Sequence, residues 1–143
     1  MQLLWIVLFK GILLSGPSWE TDFAKAKQVA HESNKLILLN FSGSDWCGPC
    51  IRMEKEIFEA ANFNEYASSH LVLLNADFPR LKKHQLSKEQ QEKNEELAER
   101  FNKKGIFPLT LLITEDGKIL KEWEGLPTGS SAVFVNEIRS IIQ

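Results

Sequence analysis

The sequence contains only two cysteines among its 143 residues, Cys47 and Cys50. Two cysteines are too few for a small domain stapled by disulfides, and a zinc site would need further ligands such as a second cysteine pair. The three histidines (His31, His70 and His84) are scattered along the chain, and we expect them to be solvated surface residues. The sequence therefore predicts no bound metal, and we expect no other cofactor.

Neither sign of charge predominates, because the chain has 17 basic and 19 acidic residues and a net charge of −2. The basic residues are interleaved with acids, which excludes a phosphate-tracking groove and argues against nucleic acid as a partner. The chain is 43% hydrophobic and 25% charged, as is usual for soluble globular proteins. Its length suits a single domain with a buried core.

Residues 1–14 form an apolar run that is too short for a clear membrane span. Gly16-Pro17-Ser18 follows with the small residues typical of a signal-peptide cleavage site, here before Trp19. We predict that residues 1–18 are a signal peptide or an uncleaved N-terminal anchor, and that the domain covers residues 19–143. Lys10 interrupts the run, so a structured first strand or helix is the alternative. Export would place the protein in the periplasm or cell envelope; the alternative is the cytoplasm.

From Trp19 onward helical and strand patterns alternate, which predicts an α/β domain. The Asp116-Gly117 pair between apolar runs indicates a hairpin, whereas the earlier strands are joined by helical crossovers and should be parallel. The expected architecture is a mixed β-sheet flanked by helices on both faces. We predict helices over residues 22–33, 47–60, 87–104 and 130–142, and strands over 36–41, 71–76, 109–114 and 118–123.

The two cysteines lie three residues apart where a buried strand is predicted to meet a helix. The unpaired N–H groups and the dipole at a helix start favour a thiolate. Gly48 leaves the sulfur approachable, and Pro49 fits the first helical turn because its missing N–H costs nothing there. We therefore predict that Cys47 is an exposed nucleophile with a depressed pKa, and that Cys50 is a more buried resolving thiol. An inert local disulfide or a pair of core thiols is the alternative.

The motif Trp46-Cys47-Gly48-Pro49-Cys50, the strand before it and the segment 105–110 together resemble the thioredoxin superfamily. The extended form of the chain is similar to bacterial envelope thioredoxin-like proteins. The resemblance implies the thioredoxin fold and a substrate groove between the cysteine loop and a cis-proline at Pro108. It also implies that the backbone of Phe107 pairs with a bound peptide, with Trp46, Gly48 and Pro49 completing the substrate-binding site. Without the resemblance, Pro108 would be read as an ordinary trans proline of an edge strand.

The sequence departs from the thioredoxin pattern at two places. Asn40 stands where the family carries a buried aspartate, so the usual base for the resolving cysteine is missing and Cys50 should react more slowly. Asp45 is a possible substitute, although we expect it in a solvated loop. Residues 78–104 are longer than their counterpart, and we favour a solvated helix over a wall beside the site.

The tryptophans outside the motif have two possible roles, substrate contact or packing. Trp5, Trp19 and Trp123 could contact a substrate, but we expect them to be core residues or sheet cover. Trp46 is the exception because it adjoins the nucleophile.

These features predict a thiol–disulfide oxidoreductase that exchanges disulfides with protein substrates in the reductase or isomerase direction. We expect a monomer whose partners are protein disulfides and an upstream electron-donor protein, with no membrane contact beyond the possible N-terminal anchor. The alternative is a thioredoxin-fold adaptor or folding factor that binds clients with little turnover.

Overall fold

The computed structural model of the protein describes residues 16–143, so residues 1–15 of the predicted leader or anchor (residues 1–18), Trp5 among them, lie outside the described part. Five strands and five α-helices follow one another along this part of the chain. No helix in it has the length and hydropathy that a membrane span requires. The strands are β1 (Trp19–Glu20), β2 (Leu36–Ser42), β3 (Leu71–Asp77), β4 (Leu109–Ile113) and β5 (Ile119–Glu124). The helices are α1 (Phe23–Ser33), α2 (Gly48–Met53), α3 (Ala61–His70), α4 (Lys88–Phe101) and α5 (Ser131–Ile142).

The five strands form one sheet in the order β1-β3-β2-β4-β5. The pairs β1–β3 and β2–β3 are parallel, whereas β2–β4 and β4–β5 are antiparallel. This is the mixed sheet that the sequence predicts: the helical crossover between β2 and β3 keeps them parallel, and the Asp116-Gly117 turn reverses the chain between β4 and β5. Gly117 adopts φ 84°, the left-handed conformation that favours glycine at such a turn.

The central strand β2 is buried on both faces, and its alternating side chains enter two different cores. Leu38 packs with residues of α3 and α5, among them Phe63 and Phe134. Its neighbours Ile37 and Leu39 point to the other face and pack with α1 and α4. The period of two in a strand accounts for this division. Helices therefore cover both faces of the sheet, as predicted.

Two elements were not predicted from the sequence. The two-residue strand β1 extends the sheet at the edge of β3, and its Trp19 packs edge-on against Phe58 with ring centroids 4.9 Å apart. The predicted helix over 47–60 is also divided: α2 ends at Met53, Glu54–Phe58 form a π-helical turn, and α3 begins at Ala61. Helix α3 begins without a side-chain cap, so the start signal that sequence reasoning relies on is missing.

Trp123 belongs to the core, as we expected, because it is 7% exposed and its indole N–H donates a 2.6 Å hydrogen bond to Glu137. Its ring lies 4.9 Å from that of Phe134. Trp19 and Trp123 are thus packing residues on the face that α5 covers.

Phe63 offers a direct test of the importance of α3. The side chain is fully buried and its ring lies 5.2 Å from Phe58 and 6.1 Å from Phe134. Phe63→Ala should lower the free energy of unfolding by roughly 3–5 kcal/mol, because it loses apolar burial and leaves a cavity. Urea unfolding measures the difference, with Val133→Ala as a control at an exposed position of α5. Equal, small effects of both substitutions would contradict this packing.

Candidate active site

The two cysteines lie where β2 ends and α2 begins. After Ser42 the chain makes a tight turn in which the N–H groups of Trp46 and Cys47 both donate to the carbonyl of Gly43, at 3.2 and 2.9 Å. Cys47 is the N-cap of α2, and Pro49 occupies its first turn. Cys47 and Cys50 form a disulfide with their Cα atoms 5.2 Å apart.

Each sulfur accepts a hydrogen bond from one backbone N–H group. The Cys50 N–H donates to Sγ of Cys47 at 3.3 Å, and the Gly43 N–H donates to Sγ of Cys50 at 3.5 Å. The first of these is the helix-start interaction expected for Cys47, since an N-cap atom accepts from the otherwise unpaired donors of the first turn. The disulfide therefore lies in an environment that favours negative charge on sulfur.

Cys47 is not exposed in the disulfide form, contrary to our prediction. It is 5% exposed and Cys50 is 4% exposed, so accessibility does not distinguish the two. The tight turn at Gly43 contacts one of the two sulfurs, because the Gly43 N–H lies against Sγ of Cys50. The exposed part of the motif is Gly48 and Pro49.

The Phe107–Pro108 peptide bond is cis, as the resemblance implied. Leu109 at the start of β4 pairs with Phe41 near the end of β2, so Pro108 lies at the same sheet edge as the cysteine loop. Across this edge the rings of Trp46 and Phe107 meet edge-on at 5.4 Å. The tertiary structure thus brings together two predicted substrate-binding residues that are far apart in sequence.

Phe78 is a neighbour of the site that sequence reasoning did not single out. Its carbonyl accepts a 2.7 Å hydrogen bond from the indole N–H of Trp46. Its ring lies 5.5 Å from Phe107 and 6.5 Å from Phe41. The available signal was topological: Phe78 directly follows β3, and parallel neighbours such as β2 and β3 end at the same edge of a sheet.

The prediction that Asp45 lies in a solvated loop is wrong. Its side chain is 6% exposed and faces residues 79–84, which we call the basic strap. It accepts hydrogen bonds from the backbone N–H groups of Arg80 and Leu81, at 2.9 and 3.0 Å, and lies 3.0 Å from Nδ1 of His84. The bond from Arg80 is the main cause that lowers the pKa of Asp45, against the opposing effect of burial. Asp45 is therefore engaged in anchoring the strap.

A row of neutral polar side chains crosses the sheet at Asn40. Asn40 is 5% exposed; its amide donates to Asn75 at 3.1 Å, and its oxygen accepts from the Thr110 hydroxyl at 2.9 Å. Thr110 also lies 3.7 Å from the sulfur of Met53, on α2. The strand register aligns these residues, because Asn40 pairs with both Asn75 and Thr110. The position where thioredoxins carry an acid is thus neutral and fully hydrogen-bonded.

The charged segment 78–104 consists of two parts with different surroundings. Helix α4 buries only Asn94 and Leu97, so most of its surface is solvated, as we favoured. The basic strap and Phe78, in contrast, contact the loop that carries Trp46. For residues 78–84, the contacts therefore favour the alternative interpretation, a wall beside the cysteine site.

No cluster of three or more His, Cys, Asp or Glu side chains suited to holding a metal ion occurs within residues 16–143.

Comparisons with known proteins agree with this geometry. Residues 18–114 match the model of the family described as thioredoxin-like. A protein named disulfide bond reductase DsbH from Chlamydia pneumoniae is 36% identical over 125 residues, which cover 87% of this chain and 72% of that protein. A solved structure titled DsbH oxidoreductase superposes with a TM-score of 0.81 at 31% identity, covering 99% of this chain and 94% of that one. A thioredoxin from Thermus thermophilus has a TM-score of 0.67 at 14% identity, which shows the shared fold alone.

A cysteine pair closed into a disulfide at a helix start, beside a cis-proline on a thioredoxin fold, defines a thiol–disulfide oxidoreductase. The chain belongs to the thioredoxin-like family, as both the family match and the DsbH relative show.

Asp45→Ala should loosen the basic strap, because the N–H groups of Arg80 and Leu81 lose their acceptor. Trypsin should then cleave the strap at its basic residues faster than in the unchanged protein. Folding lowers the pKa of Asp45 below its ordinary value of 3.8. Its stabilising effect is thus present above that pH and is lost as the pH falls through the lower folded value.

Thermal unfolding of both proteins from about pH 7 down to about pH 2 tests this sign: their melting temperatures should converge in acid. Glu92→Ala, at an exposed position of α4, controls for the loss of one carboxylate. A stability difference that widens in acid, or equal tryptic cleavage in all three proteins, would contradict the anchoring role.

Proposed function

We propose that this protein reduces disulfides in partner proteins, with Cys47 as the nucleophile and Cys50 as the resolving thiol. The observation that carries the proposal is the placement of Cys47 at the N-cap of α2. There its sulfur accepts the Cys50 N–H and can form a disulfide with Cys50. These contacts favour the thiolate that disulfide exchange requires.

The exchange has two steps that balance in atoms and electrons. The Cys47 thiolate attacks one sulfur of the partner disulfide, forms a mixed disulfide and releases the other partner sulfur as a thiolate. The Cys50 thiol loses its proton and attacks Sγ of Cys47, which releases the second partner thiolate and leaves the Cys47–Cys50 disulfide. The partner gains two electrons and the cysteine pair loses two.

We propose that a partner segment binds along the sheet edge formed by the cysteine loop and the start of β4. The adjoining rings of Trp46 and Phe107 supply apolar contact, and Gly48 and Pro49 leave the approach exposed. The backbone of Phe107, next to Pro108, would pair with an extended segment of the partner by strand addition.

The name of the DsbH relative, disulfide bond reductase, supports the reductase direction over isomerisation. A reductase needs reducing equivalents, so we propose that a second dithiol protein reduces the Cys47–Cys50 disulfide after each cycle. We also propose that the protein acts in the periplasm or cell envelope and that residues 1–18 are a leader or anchor. Cleavage before Trp19 would leave β1 intact, because that strand begins at Trp19.

Trapping tests the roles of the two cysteines. In Cys50→Ser the mixed disulfide on Cys47 cannot be resolved, so covalent partner adducts should accumulate on non-reducing gels. Cys47→Ser should trap few adducts, because the N-cap position that favours a thiolate belongs to Cys47 and not to Cys50. Mass spectrometry of the adducts identifies the bonded cysteine. Equal trapping by the two variants would remove the role assignment.

Reduction of insulin distinguishes an enzyme from an adaptor. The unchanged protein, supplied with a dithiol reductant, should precipitate insulin chains faster than the reductant alone, and Cys47→Ala should remove this acceleration. Ser33→Ala, at an exposed position of α1, serves as a control. Client binding without acceleration in the unchanged protein would favour the adaptor instead.

A further inference from the structure

The basic strap concentrates positive charge beside the cysteine loop. Residues 79–84 contain Arg80, Lys82 and Lys83 and no acidic residue, although the whole chain carries a net charge of −2. All three basic residues are exposed, as is Leu81 between them. The carboxylate of Asp45, which accepts hydrogen bonds from the backbone of the strap, is 6% exposed. The outer surface of the strap is therefore cationic.

The strap is held in place at both ends. At its start, Trp46 donates to the Phe78 carbonyl at 2.7 Å. At its end, His84 lies 3.0 Å from Asp45, and the His84 N–H donates to the Leu81 carbonyl at 3.0 Å. The backbone of the strap is thus held beside the cysteine loop, which distinguishes this segment from a freely solvated run of charge.

Arg80 links the strap directly to the site. Its guanidinium lies over the indole ring of Trp46, 3.7 Å from the ring centroid. Trp46 precedes the proposed nucleophile, and its ring also meets that of Phe107 edge-on. A partner segment that contacts Trp46 therefore lies within reach of the planar, multiple N–H donors of Arg80, which bind carboxylates well.

We propose that the basic strap selects partner disulfides whose flanking residues are acidic. This inference rests on the proposed reductase function and names its substrate class. Arg80 contacts a partner carboxylate near the disulfide, while Lys82 and Lys83 attract acidic segments during approach. Cationic surfaces beside a site raise association rates about 10-fold or more at low salt, and the effect declines as salt screens the charges.

Synthetic peptide dimers joined by one disulfide test the proposal. Three versions differ only in the residues beside the cysteine: two aspartates, two serines or two lysines. Stoichiometric, pre-reduced protein is mixed with each peptide, and peptide thiols are measured over a single turnover. Each rate is divided by the rate with dithiothreitol, an uncharged dithiol, because flanking charges also change the intrinsic reactivity of a disulfide.

The normalised rate for the aspartate peptide should exceed that for the lysine peptide about 10-fold at about 20 mM salt. The ratio should fall to about 2 at about 500 mM salt, where screening is strong. A ratio near 1 at low salt, or a ratio that salt does not change, would overturn the proposal without the need for any variant.

A matched pair of charge reversals locates the effect. Lys83→Glu changes the strap, whereas Lys118→Glu makes the same change in the β4–β5 turn at the opposite end of the sheet. The aspartate-to-lysine ratio should fall at least about 3-fold in Lys83→Glu and change by less than about 2-fold in Lys118→Glu. Equal changes would assign the preference to net charge and contradict a role for the strap. Arg80→Gln should also lower the ratio, mainly through the aspartate peptide.

The serine peptide separates this inference from the proposed function. If the unchanged protein reduces the serine peptide in a reaction that Cys47→Ala abolishes, but shows no preference for aspartate, the reductase proposal stands and only the strap inference fails. If it reduces none of the three peptides, the proposed function itself fails.

Discussion

The site depends on the burial of β2 on both faces of the sheet. Because Ile37, Leu38 and Leu39 are fixed in two cores, the end of the strand at Ser42 has a defined position and direction. The chain can then turn sharply at Gly43 and begin α2 at Cys47. The hydrophobic effect thus places the sulfurs, and the backbone N–H groups of the turn and helix determine their electrostatic environment.

The same sheet edge collects residues from distant parts of the chain. Parallel pairing brings the end of β3, and with it Phe78, beside the end of β2. Antiparallel pairing brings the start of β4, and with it Phe107 and Pro108. Trp46 contacts elements from both sides through its indole N–H and its ring. Residues of other segments, Phe78 and Phe107, therefore line the site around the five-residue cysteine motif.

The buried polar row at Asn40 shows how the family's core chemistry is altered here. A carboxylate at this place would be costly unless it were paired or protonated, whereas the amide satisfies Asn75 and Thr110 at once. The neutral row keeps the sheet interior hydrogen-bonded but offers no acid at that position. In the proposed mechanism, resolution by Cys50 therefore relies on other groups, including the Gly43 N–H that contacts its sulfur.

Local sequence signals were sufficient to predict the mixed sheet, the helices that cover it and the position of the cysteine pair at a helix start. These signals are the cysteine spacing, the continuous apolar runs of β2 and β3, and the Asp116-Gly117 turn. Helix α3 and strand β1 were missed, since α3 begins without a capping side chain and β1 exists only through its pairing with β3.

The surroundings of the cysteine pair were decided by the tertiary structure alone. The orientation of Asp45 toward the strap and the contact of Arg80 with Trp46 depend on which segments meet at one edge of the sheet. Local sequence determines where strands and helices begin, but contacts between segments more than 30 residues apart follow from strand order and register, which no short pattern encodes.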